Sequence, residues 1–113
     1  MTADSLPPAV LQVLPMLETG GVERGTIEVA EALVRAGFRA LVASAGGRLV
    51  PELTHCGAEH IALPLASKDP WVMWRNAAKL EAIIRNGRVA IVHARSRAPA
   101  WSARLAARRT GAR

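Results

Sequence analysis

The sequence predicts an α/β fold in which helices cover both faces of a parallel sheet. Short apolar runs alternate along the chain with longer segments of helical periodicity. The apolar runs contain few polar residues, which is typical of strands covered on both faces. Glycine or proline stands at most boundaries between the two kinds of segment. Strands that alternate with helices are joined by right-handed crossovers, so neighbouring strands are expected to be parallel.

The first predicted elements are a strand, a glycine turn and a helix. A polar lead-in at residues 1–8 precedes the first strand at 9–14. Gly20 and Gly21 stand at the bend that leads into a helix at 22–36. Acidic residues lie early in this helix and a basic residue lies late, as the helix dipole favours. Its predicted core face is apolar and consists of Val22, Ile27, Ala30, Leu33 and Val34.

The remaining elements repeat this alternation. They are a strand at 39–44, a short helix at 49–55, a strand at 59–63, a helix at 70–86, a strand at 89–92 and a helix at 99–109. Glycines at the helix ends are typical stop signals: Gly37, Gly57 and Gly87. Residues 9–113 thus form one Rossmann-like domain, a doubly wound parallel sheet of about four strands in the order 3-2-1-4. Such a sheet usually continues beyond its fourth strand, so the domain is predicted to be incomplete.

The composition is that of a globular protein in a reducing compartment. Half of the residues are hydrophobic and 21% are charged, which argues against intrinsic disorder. The single cysteine, Cys56, cannot form an internal disulfide. No apolar run approaches the roughly 18 residues of a membrane-spanning helix, and the first residues lack the basic start of a secretory signal. We therefore expect a cytoplasmic protein.

The charge is unevenly spread along the chain. Residues 1–81 carry a net charge of −2, whereas residues 82–113 contain eight arginines and no acid. A basic segment of this kind could contact anionic lipid, nucleic acid or a phosphorylated substrate, or form a solvated arginine face. The chain has a single Phe and no Tyr, so the interleaved aromatic and basic pattern of single-strand nucleic-acid binding is missing. No nucleic-acid partner is expected.

The predicted topology places a ligand crevice where the strand order reverses. In a doubly wound sheet, ligands bind at the carboxyl ends of strands one and four. The Gly20-Gly21 turn follows strand one, and a polar loop with His93, Arg95 and Ser96 follows strand four. Glycines at a helix start let an anion such as phosphate approach unpaired backbone N–H groups. The alternative is a tight strand-to-helix connection without a ligand.

The polar residues after strand four allow several roles. His93 could donate to a hydroxyl or phosphate or act as a general base, or it could cap the strand end through a backbone bond. Arg95 could clamp a phosphate or carboxylate, or form a surface salt bridge. Ser96 is better placed as a helix N-cap than as a catalytic group.

Metal and cofactor motifs are incomplete. Gly25 follows Gly20-Gly21 at the wrong spacing for a dinucleotide fingerprint, and no Gly-Lys-Ser/Thr phosphate loop is present. The spacing of His55, Cys56 and His60 does not match a zinc site. We therefore expect neither a metal nor a bound cofactor.

Two tryptophans, Trp71 and Trp74, stand three residues apart at the start of the helix at 70–86. Such a pair could dock on a lipid or partner surface. Packing in the core, or a contact between the helix and a neighbouring element, is the more common role of tryptophans at this spacing, and it is the interpretation we favour from the sequence. Trp101, in the last predicted helix, is interpreted in the same way.

Several segments together resemble family 4 retaining glycosyltransferases. They are VLQVLP at 10–15, GGVER at 20–24, VASAGG at 42–47, LVPEL at 49–53, GA at 57–58, IALP at 61–64 and VAIVHARSRAPAW at 89–101. Each motif alone is loose, but their order and spacing are fairly specific. The resemblance covers almost the whole chain beyond the lead-in.

The resemblance implies the GT-B architecture, in which two Rossmann-like domains face each other across a cleft. The N-terminal domain mainly holds the acceptor, and the C-terminal domain mainly holds the nucleotide-sugar. Gly20, Gly21 and Val22 would then present backbone amides to the phosphates or sugar of the donor, and His93, Arg95 and Ser96 would line the acceptor side. The family's usual active-site histidine follows a fifth strand, which this chain does not reach. His93 is therefore not assigned that role, and the catalytic residues stay unknown.

The resemblance thus implies the N-terminal part of a glycosyltransferase that moves a sugar from a nucleotide-sugar to a glycan or lipid-linked acceptor. Polysaccharide or lipopolysaccharide assembly is the expected setting, and this chain alone is expected to be inactive. The alternatives are a non-catalytic Rossmann-like binding module, a subunit of a split enzyme, or a nucleotide-binding oxidoreductase, which the incomplete fingerprint disfavours. Expected contacts besides substrate are the missing C-terminal domain, a peripheral contact with the inner face of the membrane, and self-association through the open edge of the sheet.

Overall fold

A computed structural model describes residues 7–18, 21–94, 107, 108 and 110. The described elements alternate between strand and helix, as the sequence predicts. In chain order they are β1 (Ala9–Val13), α1 (Gly21–Arg35), β2 (Arg39–Ser44), α2 (Val50–His55), β3 (Glu59–Ala62), α3 (Pro70–Gly87) and β4 (Val89–Ala94). Within these residues, no helix is both long enough and apolar enough to cross a membrane.

The four strands form one parallel sheet in the order β3-β2-β1-β4. The predicted α/β class and the predicted strand order are both confirmed. β1 and β4 are direct neighbours although α1, β2, α2, β3 and α3 separate them in the chain. The order therefore reverses between β1 and β4, and this places the predicted crevice at their carboxyl ends.

Two buried clusters hold the helices on opposite faces of the sheet. On one face, α1 and α2 pack through Ile27, Ala30 and Leu53 against β2. On the other face, α3 packs through Leu80 and Ile84 against alternate residues of β1 and β2. Because successive strand residues project to opposite faces, β2 contributes to both clusters, with Leu41 and Ala43 in one and Ala40 and Val42 in the other. The near-continuous apolar runs of the sequence are explained by this double coverage.

The inner side of α1 differs from the predicted apolar face. Val22 is exposed, whereas Thr26 is fully buried and takes part in the packing of the helix. The hydroxyl of Thr26 donates to the carbonyl of Val22 one turn earlier, at 2.8 Å. This bond satisfies the buried hydroxyl within the helix, so a polar side chain can occupy a core position. The prediction counted only apolar residues, and it therefore included Val22 in the buried face of the helix and omitted Thr26.

Three other expectations need correction. Trp71 and Trp74 are exposed, so the core packing favoured from the sequence is wrong for both. β4 continues to Ala94, so His93 lies in the strand and not in the following loop. Gly87 is the last residue of α3, and Arg88 adopts the left-handed conformation that the glycine was expected to supply.

The end of α3 at Gly87 contacts β2. A Cβ at this position would lie in ordinary van der Waals contact, 3.5 Å from the side chain of Leu41, so packing does not require glycine here. The guanidinium of Arg39, at the start of β2, donates to the carbonyl of Gly87. This bond satisfies one of the last helix carbonyls, which have no partner within the helix.

Much of the predicted last helix, 99–109, lies outside the described residues. Ala107 and Arg108 are described and are helical. Trp101 lies outside the described residues. In the described sheet, β4 is an edge strand, and Ile91 on it is half exposed.

Shortening Leu80 to alanine should strongly destabilise the domain. Leu80 is fully buried between α3 and the sheet. Leu80→Ala removes apolar contacts and leaves a cavity, so we expect a loss of about 2–5 kcal/mol in the free energy of unfolding. Val29→Ala on the partly exposed side of α1 is the control and should change it by less than about 0.5 kcal/mol. Urea denaturation of both variants measures this; equal losses would contradict the placement of α3 on the core.

Candidate ligand crevice at the carboxyl edge of the sheet

The candidate crevice is bounded by the segments that follow the carboxyl ends of the strands. The described part of the β1–α1 loop comprises 14–18, and the β2–α2 loop comprises 45–49. The end of β4, with His93 and Ala94, lies beside the end of β1. All three segments meet at one edge of the sheet because the strands are parallel.

Backbone hydrogen bonds from the β2–α2 loop hold the β1–α1 loop in place. The amide of Leu17 donates to the carbonyl of Gly46 at 2.9 Å, and the amide of Leu49 donates to the carbonyl of Leu17 at 2.9 Å. The amide of Ala45 donates to the carbonyl of Pro15 at 2.8 Å. The two loops are therefore hydrogen-bonded to each other beyond the last residues of β1 and β2.

Gly47 is required where the two loops touch. Its φ is +151°, and a Cβ built on it would lie 2.4 Å from the carbonyl oxygen of Leu17. No side chain fits at that distance from a backbone atom. The preceding Gly46 also has a positive φ, of +103°. The predicted Gly46-Gly47 turn is confirmed, and its second glycine allows close approach of the β1–α1 loop.

The side chains of Ser44 and His60 hold this turn through hydrogen bonds. Ser44, at the end of β2, is fully buried, and its Oγ accepts a hydrogen bond from the amide of Gly46 at 3.0 Å. The same Oγ lies 2.7 Å from Nε2 of His60 on β3. Burial lowers the pKa of His60 below its usual value. The neutral imidazole is thus favoured beside the serine hydroxyl.

Gln12 connects the start of α1 to the sheet. This β1 residue is buried, and its Nε2 donates to the backbone carbonyl of Thr26 at 3.1 Å. Because the side chain of Thr26 is also bonded to Val22, the contact fixes the first turns of α1 over β1. In the sequence, Gln12 is only the polar exception in an apolar strand, so its positioning role was missed.

Gly21 and Val22 form the open start of α1. Gly21 is exposed, and no described atom lies within 4 Å of a Cβ built on it. Its φ lies outside the left-handed region, so the backbone does not require glycine here. The first N–H groups of a helix have no partner within the helix and carry partial positive charge. Such a helix start attracts anions.

His93 lies on the α1 face of the sheet, beside the buried Gln12. The two residues are register partners in neighbouring parallel strands, so their side chains project to the same face. His93 is exposed at the end of β4. Among the predicted site residues, the structure therefore places Gly21, Val22 and His93 at one edge. Gly20, Arg95 and Ser96 lie outside the described residues.

The described residues at this edge form no metal-ligating cluster. No group of three or more His, Cys, Asp or Glu side chains suitable for a metal ion occurs within the described part of the chain. Sequence reasoning also missed Ser44 and His60 as supports of the site, because sixteen residues separate them. The register of β2 and β3 explains this contact. His60 lies opposite Val42, and Ser44 is the next residue of β2 on the same face of the sheet.

The chain matches a known family over most of its length. The model of glycosyltransferase family 4 matches residues 19–113. A glycosyltransferase from Rickettsia africae ESF-5 is 48% identical with a TM-score of 0.84, over 94% of this chain and 28% of that one. MurG of Acinetobacter baumannii is 17% identical with a TM-score of 0.74, over 94% of this chain and 33% of that one, and supports the fold alone. This chain therefore spans about a third or less of either protein. No curated protein matches it significantly.

Two glycine substitutions should show that the structure requires glycine at position 47 but not at position 21. Gly47→Ala forces a Cβ against the carbonyl of Leu17 and an unfavourable φ, so we expect a loss of about 2 kcal/mol or more in the free energy of unfolding. Gly21→Ala meets open space and should change it by less than about 0.5 kcal/mol. Urea denaturation compares the variants. A harmless Gly47→Ala would contradict the close approach of the two loops.

His60 should make stability depend on pH. Its pKa is lowered in the fold, so the unfolded chain binds the proton more readily. The contribution is present above the unfolded value of about 6.5 and is lost as the pH falls below it. His60→Gln keeps a hydrogen-bonding group but does not titrate, so its melting temperature should fall less between neutral and mildly acidic pH. Identical pH profiles of the two proteins would contradict the buried neutral imidazole.

Proposed function

Since the chain belongs to glycosyltransferase family 4, we propose that it forms one wall of a cleft in which a sugar passes from a nucleotide-sugar to an acceptor. The open helix start at Gly21 and Val22 carries the proposal. Departure of a nucleoside diphosphate from a sugar develops negative charge on phosphate oxygens. Backbone N–H groups at a helix N-terminus stabilise such charge without the need for a basic side chain.

The rigidity of the loop supports this role. Donors stabilise a leaving group best when they are held in place before the reaction. The β1–α1 loop is bonded to the Gly46-Gly47 turn, and Gln12 ties the first turns of α1 to β1. No described atom lies within 4 Å of a Cβ built on Gly21, so the side of the helix start at this residue is open. A preformed and open anion site is the expected result.

On this proposal, His93 belongs to the acceptor side of the cleft. It is exposed on the same face as Gln12, at the end of the strand next to β1. An imidazole there can donate to a sugar hydroxyl or accept from one. Arg95 and Ser96, which follow it in the chain, are proposed to extend this side toward a glycan or lipid-linked acceptor. No metal or bound cofactor is part of the proposal.

The transfer itself is proposed to need more protein than these 113 residues. The chain covers only 28% and 33% of the two solved proteins that it resembles. A cleft needs a second wall, and we propose that this wall holds most of the nucleotide. This chain alone would then bind the donor weakly and would not transfer the sugar. We further propose that the complete enzyme acts at the cytoplasmic face of the membrane, in polysaccharide or lipopolysaccharide assembly.

Donor binding should be sensitive to charge at position 21. Gly21→Asp fits the open space and suits a helix N-terminus, so the fold should be retained. Its carboxylate repels a diphosphate, so binding of UDP-glucose or GDP-mannose should weaken about tenfold relative to Gly21→Asn, the neutral control of the same size. Titrations followed by amide NMR measure this, with Gly21 and Val22 as the expected responding amides.

The same titrations include outcomes that would contradict the proposal. NADH serves as the comparison ligand because an oxidoreductase would respond to it. Amide shifts with NADH but not with either nucleotide-sugar would favour the oxidoreductase alternative. Shifts confined to residues away from the carboxyl edge, or equal affinities of the Asp and Asn variants, would rule out the helix start as the diphosphate site.

A further inference from the structure

A pocket opens between α3 and the loop that follows β3. Its volume is about 160 Å³, and it is lined by Pro64, Val72, Arg75, Asn76 and Lys79. The four helix residues follow one another at intervals of three, one and three positions, so they share one side of α3. The volume is roughly ten times what a single water needs, and it is well below the roughly 300–1,000 Å³ of pockets for drug-sized ligands. A small group is the expected occupant.

The lining of this pocket carries positive charge and contains no acid. Arg75 and Lys79 are exposed, and neither forms an ion pair within the part of the chain that the structure describes. They stand four residues apart, a spacing at which two like charges on a helix repel each other. Elsewhere in α3, Arg85 has Glu81 as its ion-pair partner at this spacing, at 2.9 Å. An anion between Arg75 and Lys79 would replace their repulsion by attraction.

One lining residue, Asn76, brings a buried acceptor to the pocket. Only 2% of Asn76 is exposed, and its Nδ2 donates to the carbonyl of Pro64 at 3.2 Å. This bond fixes the orientation of the amide. Oδ1 is buried and accepts no hydrogen bond from any residue that the structure describes. An acceptor without a donor is costly in the interior of a protein, so a ligand that brings a donor to Asn76 would be bound preferentially.

We infer that this pocket, which we call the α3 pocket, binds a phosphate monoester. Anionic oxygens of the phosphate pair with Arg75 and Lys79, which bind phosphate through charge-assisted hydrogen bonds. The donor to Oδ1 of Asn76 is a P–OH group or a hydroxyl of the esterified alcohol. Val72 and Pro64 offer apolar surface to the C–H groups of that alcohol. Sulfate has the same tetrahedral shape but carries no proton at neutral pH, so it satisfies only the two cations.

The α3 pocket adjoins the carboxyl edge of the sheet. A second pocket, of about 340 Å³, lies just beyond β2 and β3 and is lined by Ala45, Ala62, Leu63 and Pro64. Pro64 therefore belongs to the linings of both pockets. The second lining is apolar, and its volume falls within the roughly 300–1,000 Å³ of small-molecule pockets. A sugar phosphate thus fits with its phosphate in the α3 pocket and its ring at the carboxyl edge.

This location specifies the acceptor of the proposed transfer. If the domain forms the acceptor wall of a cleft, the acceptor is a saccharide that carries a phosphate near the receiving sugar. This step rests on the proposed function, whereas binding of the phosphate to the α3 pocket does not. The proposed donor site at Gly21 and Val22 is a different place, because α1 and α3 cover opposite faces of the sheet.

Amide NMR of the 113-residue chain with small anions tests the α3 pocket. At neutral pH and constant ionic strength, inorganic phosphate and mannose 6-phosphate should shift the side-chain amide of Asn76 and the backbone amides of 72–79. Sulfate should bind several-fold more weakly, because it has no proton to donate to Oδ1 of Asn76. Equal affinities for phosphate and sulfate would show that only the two cations act, and this would overturn the inference.

Charge substitutions distinguish the α3 pocket from diffuse attraction, since the basic segment 82–113 can also attract anions. Arg75→Gln/Lys79→Gln should weaken phosphate binding about tenfold or more, because both charge-assisted bonds are lost. Arg35→Gln/Arg48→Gln removes the same charge at exposed positions outside α3 and should weaken binding less than about twofold. Circular dichroism verifies that each variant is folded. Equal losses from the two pairs would contradict a localised site.

The pattern of shifts distinguishes the source of the phosphate and the two proposed sites. Mannose 6-phosphate should also shift the amides of Ala62 and Leu63, which inorganic phosphate should leave unchanged. If it shifts only the amides that inorganic phosphate shifts, the pocket takes the free anion and the acceptor step is overturned. A response of Asn76 to phosphate without a response of Gly21 to UDP-glucose would support the α3 pocket and overturn only the donor site. The reverse would overturn the α3 pocket alone.

Discussion

The contact between Gly47 and the carbonyl of Leu17 determines how closely the β1–α1 and β2–α2 loops pack at the carboxyl edge of the sheet. The β1–α1 loop lies against the neighbouring loop only because position 47 has no side chain. The close approach lets Leu17 exchange backbone bonds with Gly46 and Leu49. A side chain at position 47 would separate the two loops and move the start of α1. The geometry of the proposed anion site therefore depends on a residue in a different βα unit.

Side-chain hydrogen bonds from β2 and β3 stabilise the loop that contains Gly47. Gly46 is held by the hydroxyl of Ser44, which is bonded in turn to His60. On the other side, Gln12 and Thr26 hold α1 over β1. These four polar side chains are wholly or partly buried. Their partners satisfy them, so the polar groups position backbone segments without leaving an unpaired group in the core.

The sequence predicted the fold well because strand type and order depend on local apolar runs and on a general chirality rule. The strand at 39–44 and the short helix ending at His55 were found nearly residue by residue. The errors occurred where tertiary contacts decide the outcome. His93 continues β4 because it pairs with β1, and Thr26 is buried because its hydroxyl is satisfied within α1. The exposure of Trp71 depends on which side of α3 meets the sheet, which the helical spacing of two tryptophans does not determine.

The helix dipoles of α1 and α3 act at the same edge of the sheet as the proposed donor site. In a parallel sheet with helical crossovers, every helix begins at the carboxyl edge, so α1 and α3 direct their N-termini to the same side. Their dipoles make this edge attractive to anions, although the described chain up to residue 81 is slightly acidic. Arg75 and Lys79 add to this attraction at α3, whereas the first turn of α1 contains one acid, the partly buried Glu23. A nucleoside diphosphate would thus be attracted to the edge at which His93, the proposed acceptor-side residue, also lies.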